Sequence, residues 1–184
     1  MKTAIHVWHL EIADPVLIPP ETVDRPYQLD HLEALMPELA RFLYSTVGAP
    51  WTWYMRLPWT YRQWQSRIDD PNVQFWMATI KGHPAGYFEL EKACSGDVEI
   101  CFFGLLPAYI GKGLGKSLLQ DAIRAARQLG GKRIWLHTCT LDHPRALSNY
   151  QARGFRVFRE EDLTSDIPDA PIEPWPNANA GDSS

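Results

Sequence analysis

Ile110-Gly111-Lys112-Gly113-Leu114-Gly115-Lys116-Ser117 joins an apolar run, Val98 to Leu106, to an amphipathic one that extends from about Gly113 to Leu129. In the second run Leu114, Leu118, Leu119, Ala122, Ile123, Ala126 and Leu129 share one helical face. Gln120, Asp121, Arg124, Arg127 and Gln128 occupy the other. The order strand, glycine loop, helix is one in which backbone N–H groups and a helix N-terminus hold a phosphate. Glycine lets the backbone approach the anion without a side chain in the way, and Lys112 and Lys116 add positive charge. The plainer reading is a tight turn that needs glycine for its own geometry.

Two well-known phosphate loops fit less well. A dinucleotide fingerprint, G-x-G-x-x-G, started at Gly111 would place its third glycine where Lys116 stands. A nucleoside-triphosphate loop, G-x-x-x-x-G-K-S/T, matches at Gly115-Lys116-Ser117, but its first glycine falls on Ile110. The next strand-like stretch, Ile134-Trp135-Leu136-His137-Thr138, offers no acidic residue to hold a metal. A P-loop phosphotransferase is therefore the alternative to carry forward.

Working outward, Gly130-Gly131 stops the helix and Arg133 to Cys139 reads as a short buried strand. Asp142-His143-Pro144 starts a helix through Tyr150, Gly154 ends it, and Phe155 to Arg159 is a last strand. Upstream, Val73 to Ile80, Ala85 to Glu91 and Val98 to Leu106 are strands, with turns at Gly82-His83-Pro84 and Ser95-Gly96-Asp97. A helix is expected from Thr60 to about Ile68. Another follows Asp30, where Asp30-x-x-Glu33 resembles a capping box. Pro37 either kinks that helix or lies in the first turn of one that begins near Met36.

After a short opening strand, Pro15, Pro19, Pro20 and Pro26 make residues 13 to about 29 an irregular connection. The elements are mixed α/β, meandering strands followed by a strand-helix-strand unit. One domain is expected over residues 1–160, and a proline-rich tail, extended or disordered, over 161–184.

A chain of 184 residues with 45% hydrophobic and 22% charged residues can bury a core of ordinary size. A net charge of -4 argues against sequence-independent nucleic-acid binding. No stretch reads as a signal peptide or approaches the length of a membrane span, so a cytoplasmic protein with no membrane partner is expected. Cys94, Cys101 and Cys139 lack metal-ligand spacing and read as reduced, mostly buried thiols, with no metal site expected.

The stretch from Pro107 to Leu119 resembles the acetyl-coenzyme A signature of the GNAT superfamily, Gln/Arg-x-x-Gly-x-Gly/Ala. Here it reads Ile110-Gly111-Lys112-Gly113-Leu114-Gly115, and Ile110 replaces the usual Gln or Arg. The backbone cradle, on which the phosphate depends physically, is left intact. Ala146 to Phe155, with Tyr150 and Gly154 at the matching positions, resembles the close of the same family domain, A-x-x-x-Y-x-x-x-G-F. The likeness is good over about residues 73 to 159 and loose before that.

The resemblance implies an α/β fold with a mixed, mainly antiparallel sheet flanked by helices. It implies acetyl-CoA as co-substrate, no metal, and acetyl transfer to a primary amine by direct attack in a ternary complex. A degenerate fold that binds acyl-CoA as a sensor is a further alternative. Gly111, Lys112, Gly113, Leu114, Gly115 and Lys116 would hold the pyrophosphate, the backbone of Phe103, Gly104 and Leu105 the pantetheine arm, and His143 would stand where an arm-contacting Asn is common. Amine acylation needs a base for the amine, stabilisation of an oxyanion and an acid for the departing thiolate. The resemblance assigns the base to Glu99 and the acid to Tyr150, against the plainer readings of a solvated strand glutamate and a core tyrosine. The familiar alternative base position is Thr138, which cannot serve.

Trp51, Trp53, Tyr54, Arg56, Trp59 and Trp64 concentrate four of the eight tryptophans in one segment. It reads either as an acceptor wall in which Trp51, Trp53 and Trp59 bind a small amine and Arg56 takes a carboxylate, or as a core cluster. A small-molecule amine is the expected partner, and a homodimer is compatible with the sequence.

Overall fold

A computed structural model of the chain describes residues 2–14, 25–170 and 172. Seven strands form one sheet in the order β2-β3-β4-β5-β6-β1-β7. They are β1 (Lys2–Ile12), β2 (Gln28–His31), β3 (Val73–Ile80), β4 (His83–Lys92), β5 (Val98–Leu105), β6 (Ile134–Cys139) and β7 (Arg156–Asp166). The helices are α1 (Pro37–Gly48), α2 (Tyr61–Ile68), α3 (Leu114–Gln128) and α4 (Ala146–Gln151). This is the mixed, mostly antiparallel sheet flanked by helices that the sequence led one to expect.

All neighbouring strands run antiparallel except β5 and β6, which α3 connects. That parallel pair is registered only at Val98↔Ile134 and Glu99↔Trp135. Beyond Glu99 the two strands part, so the edge of β5 from Ile100 to Leu105 that faces β6 has no ladder partner. On its other side β5 pairs with β4, and the register slips between Glu89 and Leu90, leaving Cys101 as the extra residue of a bulge.

Alternation along β4 distributes the two helical layers. Phe88 and Leu90 turn to the cluster of α3, whose Leu114, Leu118, Leu119, Ala122, Ile123 and Ala126 are buried. Each leucine so buried contributes about 1.5–3 kcal/mol. Tyr87 turns to the opposite cluster, with Leu43 and Val47 of α1. The helix lies close there, since a Cβ at Gly104 would come 2.5 Å from Val47 Cγ1.

Local signals explain the helix ends. Thr60 accepts from the Gln63 backbone while the Gln63 side chain accepts from Thr60, a capping box that starts α2. Met36 is extended and Pro37 opens α1, so the second of the two expectations for Pro37 holds. Asp30 caps nothing. It sits in β2 opposite Met77 and accepts from the Gln28 side chain at 2.9 Å. Helix α4 begins at Ala146, later than expected, because Asp142 first ties a turn by accepting from Thr138 Oγ1 (2.7 Å) and the Cys139 N–H (3.0 Å).

Strand β7 runs on to Asp166, past the expected domain end, paired with β1 from Lys2↔Asp166 to Glu11↔Arg156. Cys94 is exposed, contrary to the expectation of burial, and Cys101 and Cys139 are half-buried. The prolines 15, 19 and 20, and the tail beyond residue 172, lie outside the described residues. Among the described residues no helix is long and apolar enough to cross a membrane.

Candidate active site

A cavity of about 940 Å³ opens where β5 and β6 part, bounded by the segment from Trp51 to Met55, the glycine loop and α4. At one end lie Gly111, Gly113, Gly115 and Lys116. Gly111 and Gly113 both have φ +79°, a left-handed conformation that side chains other than glycine rarely adopt, and a Cβ on either would meet no atom within 4 Å. The first N–H groups of α3, including that of Leu114, have no acceptor within the helix. Open space, strained-for-others backbone and free donors together make an anion cradle.

The side chains around the cradle divide. Lys116 lines the cavity. Leu114 is buried in the core and contributes only backbone, and Lys112 rests over the Tyr109 ring at 5.2 Å from its centroid, outside the lining. Phe103, Gly104 and Leu105 line the cavity along the unpaired edge of β5, positioned to receive an extended arm as an added strand. His143 also lines it, and its Nδ1 accepts from the Arg145 N–H at 3.0 Å, so the ring closes the turn before α4 as well. Trp51 meets the His143 ring edge-on at 5.1 Å.

Glu99 and Tyr150 line the same cavity. Tyr150 is 8% exposed and packs between the rings of Phe103 and Phe155. Burial, with the Asp142 carboxylate adding to it, pushes its hydroxyl well above the ordinary tyrosine range. The phenol therefore stays protonated, as a donor must. Glu99 is 22% exposed, and its Oε1 lies 3.5 Å from His137 Nδ1. Glu91, Glu99 and Cys101 bring three donor atoms within 4.8 Å of one another. A cation already sits there: Arg67 pairs with Glu91 at 2.7 Å and approaches Cys101 Sγ at 3.5 Å. Burial and the surrounding carboxylates hold the Cys101 thiol above its ordinary range, which keeps it from acting as a thiolate ligand.

Of the residues expected at the acceptor, Trp51 and Trp53 line the cavity and Arg56 and Trp59 do not. Arg56 is 9% exposed, donates to both oxygens of Glu89 (2.7 and 3.0 Å) and lies over the rings of Trp59 and Phe102. Arg67 meets Glu89 from the other side at 2.7 Å through Nε. The carboxylate that Arg56 was expected to draw from a substrate is thus supplied by β4, and Trp59 is part of the core beside Trp64.

The sequence reading passed over His9, Trp135, His137 and Glu161, all of which line the cavity. The signal was the period of two in β6: Trp135, His137 and Cys139 alternate with the buried Ile134, Leu136 and Thr138. Thr138, the rejected base position, is buried and donates to Asp142.

A model of the acetyltransferase (GNAT) family matches residues 32–155. Over 90 residues the chain is 30% identical to an uncharacterised N-acetyltransferase of Mycobacterium bovis, a match covering 49% of this chain and 57% of the relative. Over 88 residues it is 32% identical to an uncharacterised N-acetyltransferase of Escherichia coli, covering 46% and 52%. The chain thus spans about half the length of the curated relatives it matches. The fold is similar to that of a GCN5-related N-acetyltransferase from Sphaerobacter thermophilus, with a TM-score of 0.64 at 18% identity over 94% of this chain and 56% of that one.

Proposed function

The chain belongs to the acetyltransferase (GNAT) family, and from that premise we propose that it transfers an acetyl group from acetyl-CoA to the primary amine of a small molecule by direct attack in a ternary complex. The observation that carries this reading is a single cavity lined both by the glycine cradle and by Glu99 and Tyr150. The cradle of Gly111, Gly113 and Gly115 takes the pyrophosphate, with Lys116 as counter-charge, and the free edge of β5 at Phe103–Leu105 takes the pantetheine arm.

Glu99 accepts a proton from the amine, whose lone pair is then free to attack the thioester carbonyl. Tyr150 returns a proton to the departing thiolate, and its packed, dry surroundings keep that proton in place until it is needed. Trp51 and Trp53 form an apolar wall for the body of the acceptor. With Arg56 committed to Glu89, the favoured acceptor needs no carboxylate.

Thermal shift with acetyl-CoA against ATP-Mg, followed by thiol-release assays over aryl alkylamines, amino acids, polyamines, aminoglycosides and lysine peptides, tests the reading. Stabilisation by acetyl-CoA and turnover of a small amine are expected. Stabilisation by ATP-Mg alone would return the phosphotransferase alternative, and tight acetyl-CoA binding with no turnover of any amine would favour the sensor.

A further inference from the structure

The lip of the cavity on β6, β1 and β7 carries a line of ionisable side chains that the chemistry above does not use. His137 lies across from His9 on β1, with ring centroids 6.0 Å apart. His9 Nε2 is 2.7 Å from Glu161 Oε1, and Arg159 donates to the other oxygen of Glu161 at 2.6 Å. On the inner side His137 Nδ1 lies 3.5 Å from Glu99 Oε1, while the His137 side chain remains 46% exposed. One imidazole thus approaches the Glu99 carboxylate and meets solvent.

We propose that His137 is a positioning residue for Glu99, fixing its carboxylate toward the acceptor amine and carrying away the proton that Glu99 removes. The proposal rests on Glu99 being the base. A carboxylate that has taken a proton must lose it before the next turnover, and His137 is the more exposed of the pair, 46% against 22% for Glu99.

The transfer balances simply. An N–H bond of the amine breaks and a Glu99 O–H bond forms. That O–H bond then breaks as His137 Nδ1 gains the proton, and the imidazolium gives a proton to water.

The surroundings favour the imidazolium that this path passes through. Glu99 faces His137 from β5, with Cys101 beside it and Glu91 behind on β4. His9 faces it from β1, and Glu11, opposite Trp135, is tied to Arg133. Glu161 with Arg159 lies beyond on β7, Asp142 in the following turn, and Cys139 on the same strand. The Glu99 carboxylate 3.5 Å away raises the His137 pKa above 6.5, burial opposes it, and the charges of Asp142 and Glu161 add to the rise. Below that raised value His137 is already protonated and cannot accept. The rate must therefore climb with pH as His137 loses its proton, with a midpoint above 6.5.

The test uses the full chain and begins without an acceptor, by following the His137 imidazole through its titration by NMR. In wild type it should titrate above 6.5 and in Glu99→Gln at lower pH. An unchanged midpoint would overturn the coupling and the proposal. Steady-state rates are then taken with the most reactive amine of the panel. His137→Gln, which keeps a donor near Glu99 but carries no exchangeable charge, should lower kcat about tenfold to a hundredfold. It should leave the KM for acetyl-CoA within about twofold and flatten the pH profile. His137→Ala should regain part of its rate with free imidazole. Loss in Glu99→Gln with full activity in His137→Gln would overturn the relay alone. Full activity in Glu99→Gln would overturn the base and the relay together.

Discussion

The glycine end of the cavity is made of backbone, and the tryptophan end is made of side chains held by other side chains. At the first, left-handed Gly111 and Gly113 and the start of α3 present N–H groups, and few side chains take part. At the second, Trp53 leans on Tyr44 and Phe102, and the segment is anchored where Arg56 meets Glu89. A backbone site is fixed by local conformation and written in glycine spacing. A side-chain wall depends on which residues meet across the sheet, and it is anchored by a buried ion pair that lies outside the cavity lining.

Mutations should separate the two ends. The largest effect falls between them, on the chemistry: Glu99→Gln should lower kcat by about 10²–10⁴-fold with acetyl-CoA affinity nearly unchanged, and Tyr150→Phe should act in the same direction. The deficit of Glu99→Gln should shrink as pH rises and free amine becomes plentiful, so a mutant pH-rate profile parallel to wild type would remove Glu99 as base.

Next comes the anchor of the tryptophan end. Arg56→Ala leaves Glu89, which is 1% exposed, with Arg67 as its remaining cation, and should cost about 3 kcal/mol of stability, the low end for a broken buried pair, read as a fall in denaturation midpoint. A stable variant with a raised acceptor KM would instead put Arg56 back at the substrate. At the glycine end, Gly113→Glu should weaken acetyl-CoA by at least about a hundredfold, close to 3 kcal/mol, by calorimetry on the folded protein. Undiminished affinity would break the comparison outright. The smallest effect is expected from Thr60→Ala, which removes the cap of α2 and should cost about 1 kcal/mol in chemical denaturation without altering the coenzyme end.

What could be read in advance follows the same division. Strand β3 and helix α2 were legible because a period of two bounded by turns, and a Thr-x-x-Gln box, are local signals. Asp30-x-x-Glu33 carries a similar signal, yet Asp30 joins β2 because the ladder to β3, extended by the Leu32 N–H to the Phe75 carbonyl, outweighs one cap. The reach of β7 to Asp166 was hidden because its residues are polar, and what holds them are partners on β1, such as His6 between Glu160 and Asp162. Arg56 was misplaced for a related reason, since nothing near it in the chain announces Glu89 on a distant strand. His137 was within reach of the alternation in β6, which sets it on the neighbouring pleat from the buried Thr138.

The placing of β1 between β6 and β7 also sets the order of events on the ribosome. Strand β1 ends at Ile12, and its two neighbours begin only at Ile134 and at Arg156. At about 5–20 residues per second, β1 waits on the order of ten seconds with both edges open. Contacts of such long sequence separation make for slow closure. Placing β1 directly after β7 would shorten the loop that this pairing must close and should quicken refolding while leaving the cavity as it is.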